Sequence, residues 1–247
     1  MSTRGNANQK HGSTDYGHLA GVLTLRSTTA RLPGDPVHAA TFDFPVCYGT
    51  AEDVSIDDLI AIDRRHLPGM IAAARRLESL KVRFIVTSCG LFAPFQREIA
   101  EQLSVPFLGS SLHAVSFLRG MLAPDRKVAV VTAHSGVLTE EHVRSAGFAL
   151  HEVVIQGMES YGEFARVVLQ GGRDIDVAKL ANDVRDAAGA LASRGERIGA
   201  VVLECPNLVT FRSEIQSVLR VPVFDIVNLA NFLAAGFALT TYPARYV

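Results

Sequence analysis

Tryptophan is absent from this 247-residue chain, and cysteine occurs only as Cys47, Cys89 and Cys205. With no CxxC pair and no even cysteine framework, a secreted disulfide scaffold and a structural zinc site are both disfavoured. An excess of one charge is missing as well: Lys+Arg number 24 against Asp+Glu 25, a formal charge of −1. That balance, without a basic stripe, gives no electrostatic reason to expect a nucleic-acid partner. No apolar run approaches the roughly 18–20 residues of a membrane span, so no membrane partner is expected. Neither G-x-G-x-x-G nor a Walker sequence follows any apolar run, so no nucleotide cofactor is expected, and no metal is called for. Residues 1–18 are polar and rich in Gly, Ser and Asn. They read as a disordered tail, and without the apolar core of a signal peptide the expected compartment is the cytoplasm.

What the sequence does contain is one stretch used twice. Residues 84–120 and 200–236 align without a gap at a shift of 116, with 10 identities in 37 positions. Cys89 falls on Cys205, Phe95 on Phe211, Glu98 on Glu214, Val105-Pro106 on Val221-Pro222, and Gly120 on Gly236. Such self-similarity means that one supersecondary unit is built twice.

Apolar runs alternate with helical stretches along the chain. Strands are expected at 19–25, 82–87, 105–109, 128–132, 150–155, 198–204 and 221–224. Helices are expected at 57–80 (with Pro68 in a first turn), 91–103, 112–122, from Thr139, at 161–169, from Asp174 or Asp176 to about 193, after Cys205, and to about 239. Residues 31–48 carry three prolines, Pro33, Pro36 and Pro45, together with Gly34, and read as extended loop with a short strand. This is the pattern of an α/β fold: parallel sheets, doubly wound and Rossmann-like, in two domains related by the repeat. The expected division is 19–122 plus 222–247 for the first domain and 123–221 for the second. Ligands of such sheets sit beyond the carboxyl ends of the strands, where Cys89 and Cys205 both fall.

Thr87-Ser88-Cys89-Gly90, Glu204-Cys205-Pro206-Asn207, the run Val221–Asp225 and the weaker Val130–Gly136 resemble the aspartate/glutamate racemase superfamily. That superfamily includes hydantoin racemases, maleate isomerase and arylmalonate decarboxylase. The resemblance implies a pseudo-twofold molecule with its site in the cleft between domains, Cys89 and Cys205 as an acid/base pair, and a small carboxylate substrate. A cofactor-independent racemase or epimerase, acting as a homodimer or higher homo-oligomer, follows from it. Inverting a stereocentre needs a base on one face of Cα and an acid on the other, which two equivalent thiols supply.

A free thiol titrates near ~8.5, and helix N-termini after each strand are expected to bring these two toward ~7. The alternative is that both are buried small hydrophobes, the usual fate of cysteine; Cys47, unmatched in the repeat, is read that way. Thr87, Ser88, Gly90, Thr132 and Ser135 are candidates to hold the substrate carboxylate, against ordinary capping by Ser and Thr. Asn207 and Tyr48 are further candidate contacts, with Arg26 beside them. Pro206 lacks an N–H where the first copy has Gly90, which removes one backbone donor. Glu204 reads as a solvated strand-end charge, Asp225 as a helix cap, and His113 and His134 as structural. Maleate-type isomerisation, arylmalonate-type decarboxylation, a cysteine hydrolase using His113 or His134, and a binding module on the same scaffold remain alternatives.

Overall fold

Apolar runs without polar alternation must be covered on both faces, and that requirement shapes both halves of the chain. The computed structural model describes residues 16–239, so the expected tail falls almost wholly outside the described residues. The first half supplies β1 (Ala20–Leu25), β2 (Val46–Ala51), β3 (Phe84–Thr87) and β4 (Phe107–Leu108). These form a parallel sheet in the order β2-β1-β3-β4. The second half supplies β5 (Lys127–Thr132), β6 (Val153–Gly157), β7 (Ile198–Leu203) and β8 (Val223–Phe224), parallel in the order β6-β5-β7-β8. The two orders correspond, and the 116-residue shift carries β3 onto β7 and β4 onto β8.

The first half's helices are α1 (Ile56–Ile60), α2 (Leu67–Ser79), α3 (Gln96–Ala100) and α4 (Ala114–Met121). Those of the second are α5 (Glu140–Ser145), α6 (Gly162–Phe164), α7 (Val177–Ala192), α8 (Arg212–Leu219) and α9 (Ile226–Gly236). Local chemistry sets their ends. Ser55 and Asp58 form a capping box on α1, Pro68 lies in the first turn of α2, and Asp176, rather than Asp174, accepts from the Lys179 N–H to open α7.

Several elements differ from the sequence expectation for identifiable reasons. The helix expected at 91–103 is a 3₁₀ segment, Gly90–Phe95, followed by α3, and Thr210 standing in the second copy where this one has Pro94 shows that the proline is not what divides it. Its repeat mate is cut in the same way, 3₁₀ over Pro206–Phe211 and then α8. Residues Leu150–Glu152 form a turn instead of the start of a strand; the Glu152 carboxylate accepts from the Ala149 N–H at 2.7 Å. The stretch 161–169 is α6 continued by a π-turn at Ala165–Leu169.

The halves share their core. One apolar cluster joins Phe92, Leu112, Val115 and Leu118 to Val128, Val130, Val143 and Val202. α4, expected to belong with the first sheet, packs on β5 and β7 of the second, ties Arg119 to Glu152 at 2.5 Å, and donates from Ser116 Oγ to the Gly147 carbonyl at 2.8 Å. Reciprocally, α9 packs on β3, with Ile226, Val227 and Ala230 against Val22, Phe84 and Val86. Val223–Phe224 is hydrogen-bonded into the second sheet, and the chain leaves that sheet at Asp225. Among the described residues no helix is long and apolar enough to cross a membrane.

Asp225 is fully buried at that crossing. Its Oδ1 accepts from the N–H groups of Val227 and Asn228 at 2.8 and 2.9 Å, and its Oδ2 pairs with Arg212 at 2.7 Å. The sequence reading of this residue as a cap matches that geometry. Asp225→Ala removes a cap and strands a half-buried guanidinium, so a loss of roughly 3 kcal/mol is expected. Urea denaturation checks it: the midpoint should fall with little change in slope.

Candidate active site

In each sheet the chain turns first to one side of the central strand and then to the other, so β1/β3 and β5/β7 are switch points with a crevice beyond their carboxyl ends. The shared core brings these two crevices together as one cavity of about 350 Å³. Ser88 and Cys89 reach it from the first half; Thr132, Glu204, Cys205, Pro206 and Asn207 reach it from the second. Much of the wall is aliphatic, from Leu25, Ile56, Ile60, Leu91, Val137, Val168 and Leu169, the last two on the π-turn. Arg26, Arg31 and His134 add cationic or polarisable groups.

The two cysteines occupy equivalent positions. Each directly precedes a 3₁₀ turn, and the backbone N–H two residues on favours each thiolate, from Leu91 for Cys89 and from Asn207 for Cys205. These two donors are repeat mates. Pro206 therefore costs the site nothing at the sulfur, since the donating N–H belongs to the next residue. The Asn207 amide Nδ2 also donates to Cys205 Sγ at 3.5 Å. The expected fall toward neutral pKa is nevertheless overturned. Burial, and after it the carboxylate of Glu204, push Cys205 up to about 12 and raise Cys89 well above the ordinary thiol range.

Glu204 is the main correction to the sequence reading. It is not solvated: its exposure is 5%, and burial raises its carboxyl to about 7 despite a 2.7 Å hydrogen bond donated by Thr132 Oγ1 to its Oε2. Its Oε1 lies so close to Gly90 that a Cβ there would stand 2.3 Å away, with the Glu204 carbonyl at 2.6 Å. Gly90 is thus a glycine because the other half's glutamate occupies its side-chain space.

The remaining candidates divide. Ser88 and Thr132 line the cavity, although Ser88 Oγ donates to Thr24 Oγ1 at 2.9 Å and Thr132 serves Glu204. Thr87 does not line it: its hydroxyl lies 2.7 Å from the Gly109 carbonyl and 3.0 Å from that of Cys89. Ser135 is likewise not at the cavity; its hydroxyl and its N–H both go to Glu159. Tyr48, on edge strand β2, is exposed and outside the lining; Cys47 is also outside it but buried, its thiol facing the Ala20 carbonyl. His113 lies in a separate apolar groove with Phe117 and Phe232, and burial lowers it to about 4. His134 lines the cavity, with Nδ1 accepting from the Gly136 N–H at 3.0 Å. Among the described residues the one cluster with metal-ligand spacing, Asp58, Asp63 and His66, is outside this lining, and its carboxylates already serve Ser55 and Arg65.

Arg31 was not singled out by its sequence. It stands on the loop after β1, paired to buried Asp35 at 2.8 Å and 3.5 Å from Asn207 Oδ1, and it favours the Cys89 thiolate. The loop is held by Gly34, at φ +104°, where an added Cβ would stand 3.0 Å from the Thr210 Cα, and by Thr210 Oγ1 donating to the Pro33 carbonyl at 2.8 Å. Only a glycine takes that conformation cheaply so close to another backbone.

Comparison with known proteins agrees with this architecture. Residues 39–231 match the family model for Asp/Glu/Hydantoin racemase, and the chain belongs to that family. By sequence it is similar to a dimethylsulfoniopropionate lyase from Durusdinium sp. clade D, 26% identical over 227 residues, covering 88% of this chain and 74% of the relative. A dimethylsulfoniopropionate lyase 5 from Emiliania huxleyi is 24% identical over 241 residues, and there the alignment covers 91% of this chain but 46% of the relative. By structure it is similar to an allantoin racemase from Klebsiella pneumoniae (TM-score 0.58, 18% identity, 88% of this chain and 86% of that one). An arylmalonate decarboxylase gives 0.55 at 18% identity (91% and 96%), and a glutamate racemase from Bacillus anthracis 0.52 at 18% (89% and 83%). At these identities the structural likenesses show the fold.

A carboxyl raised on folding binds its proton more tightly in the folded state, so its contribution falls as pH rises from ~4.3 to about 7. Glu204→Gln removes that fall. Relative to the parent, the variant should gain roughly 3 kcal/mol between pH 4 and pH 8. Urea denaturation at both ends of the range measures it, and a difference independent of pH would contradict the buried-acid assignment.

Proposed function

We propose that the cavity takes a small carboxylate and removes the proton from the carbon beside it, with Cys89 and Cys205 as the proton-transferring pair. One observation carries this reading: two cysteines from repeat-equivalent turns line one cavity, each with the equivalent backbone N–H at its sulfur. The substrate carboxylate is met by the guanidinium groups of Arg31 and Arg26, whose remaining N–H donors supplement their pairs with Asp35 and Glu52. One cysteine, as thiolate, takes the Cα proton; the other, as thiol, returns one to the opposite face. The outcome is racemisation or epimerisation, an isomerase activity. Burial raises the thiol, which makes its thiolate the stronger base and suits a weakly acidic carbon.

A second reading shares the first step and is favoured by the lyase names of the curated relatives, 24–26% identical across 87–91% of this chain. With a sulfonium group on the next carbon, loss of the Cα proton to the thiolate is followed by cleavage of the Cβ–S bond. Its electron pair leaves on sulfur, giving dimethyl sulfide and acrylate. The aliphatic wall accommodates the methyl groups of such a substrate.

Incubation in D₂O with amino acids, hydantoins, substituted malonates and dimethylsulfoniopropionate separates the two. Isomerase activity appears as Cα deuteration with loss of optical activity; lyase activity appears as dimethyl sulfide in the headspace. For whichever substrate reacts, Cys89→Ala and Cys205→Ala should each slow turnover by roughly 10²–10⁴. Full activity in both variants would refute the paired-cysteine mechanism.

A further inference from the structure

Resting on that reading of the pair, a third acid in the cavity has a role that proton transfer between two thiols leaves unassigned. Glu204 precedes Cys205 in sequence, and its Oε1 lies against Gly90, the residue that follows Cys89. Its carboxyl is thus seated between the two turns that present the sulfurs. Thr132 Oγ1 is its hydrogen-bond donor, and among the described residues no cation pairs with it.

The other charged and titrating groups near this trio are few. Arg31 bears on Cys89 and Asp35 on Cys205, but these two pair with each other at 2.8 Å and largely cancel. Arg26 is held by Glu52 at 2.5 Å, and His134 is occupied at Nδ1 by the Gly136 N–H. In a desolvated cavity a charged carboxylate and a thiolate oppose one another strongly, and acids so coupled titrate as a set.

We propose that Glu204 sets the ionisation of both cysteines: while its carboxylate is charged both remain thiols, and a thiolate forms only when the glutamate is neutral. Three acids then share two protons. The resting arrangement is thiol, thiol and carboxylate; the working arrangement is thiolate, thiol and carboxylic acid. The two differ by moving one proton from a sulfur to Glu204, so the base is generated without release of a proton to solvent. Glu204 acts here as a positioning residue for charge, through the thiols. Thr132, whose hydrogen bond favours the carboxylate, tunes the balance toward the resting form.

The test reads the thiols directly and needs no substrate. Iodoacetamide alkylation of the intact protein is followed across pH, with each cysteine resolved by peptide mass spectrometry. Glu204→Gln should move the alkylation midpoints of Cys89 and Cys205 down by a unit or more, about tenfold faster modification at pH 7.5. Thr132→Val should move them in the same direction by less, and it serves if the first variant folds poorly. Cys47, which lies outside the cavity, is the internal control. Unmoved midpoints in both variants, or equal acceleration of all three cysteines at every pH through loosened packing, would overturn the proposal. A midpoint shift in a protein whose Cys→Ala variants keep full turnover would retain Glu204 as the controlling charge while removing the catalytic role of the pair.

Discussion

Neither sheet covers both of its faces with helices from its own half, and that shortage holds the molecule together. α4 leaves the first sheet to pack on β5 and β7, and α9 leaves the second to pack on β3. The apolar cluster through Leu112, Val115, Val130 and Val202 is the product of this exchange, and hydrophobic burial supplies its driving force. Because the exchanged helices fix both sheets, the carboxyl ends of β3 and β7 are held toward one cavity. Ser111 Oγ, donating to the Leu203 carbonyl at 2.7 Å, pins the first half's β4–α4 turn to the strand that presents Cys205.

Dryness follows from the same burial, and it decides the electrostatics. A helix N-terminus is worth at most about 2 kcal/mol to an adjacent anion, and here it is a short 3₁₀ turn. The rise of Cys205 to about 12 corresponds to roughly 4 kcal/mol in the opposite direction, net of the Asn207 donors. Desolvation therefore outweighs the local dipoles at both sulfurs. The same cavity lifts Glu204 to about 7, where an acid changes charge near neutrality. Three coupled acids in a space of about 350 Å³ behave as a set, and none has a titration wholly its own.

The fold was legible because it is written in periodicity and repetition. Uninterrupted apolar runs at 84–87 and 198–203 are what doubly covered parallel strands require, and the 116-residue repeat returned as matching strand orders. Placement of Cys89 and Cys205 at strand ends was legible for the same reason. What the sequence concealed were contacts between distant segments. Glu204 looks like any strand-end charge until Gly90 and Thr132 are seen to enclose it. Arg31 gives no sign of its position because the loop bearing it is fixed by Thr210, some 180 residues away in the chain. Thr87 and Ser135 carried the right hydroxyls, but nearby backbone and Glu159 claimed them first. Tyr48 was placed by its loop and not by its strand, and edge strand β2 turns it away from the cavity lining.

The crossing of α4 and α9 has the form of a segment exchange. Each half is completed by the terminal helix of the other, which is the arrangement two identical half-length chains would adopt by swapping their last segments in a twofold dimer. In such a dimer each copy would bring one cysteine, and the pair would exist only on association. Here residues 122–126 connect the halves in one chain, so their association does not depend on concentration. A single chain also places no requirement of identity on its two halves. Ser88 and Glu204, equivalent by the repeat, accordingly place a hydroxyl on one side of the cavity and an acid on the other.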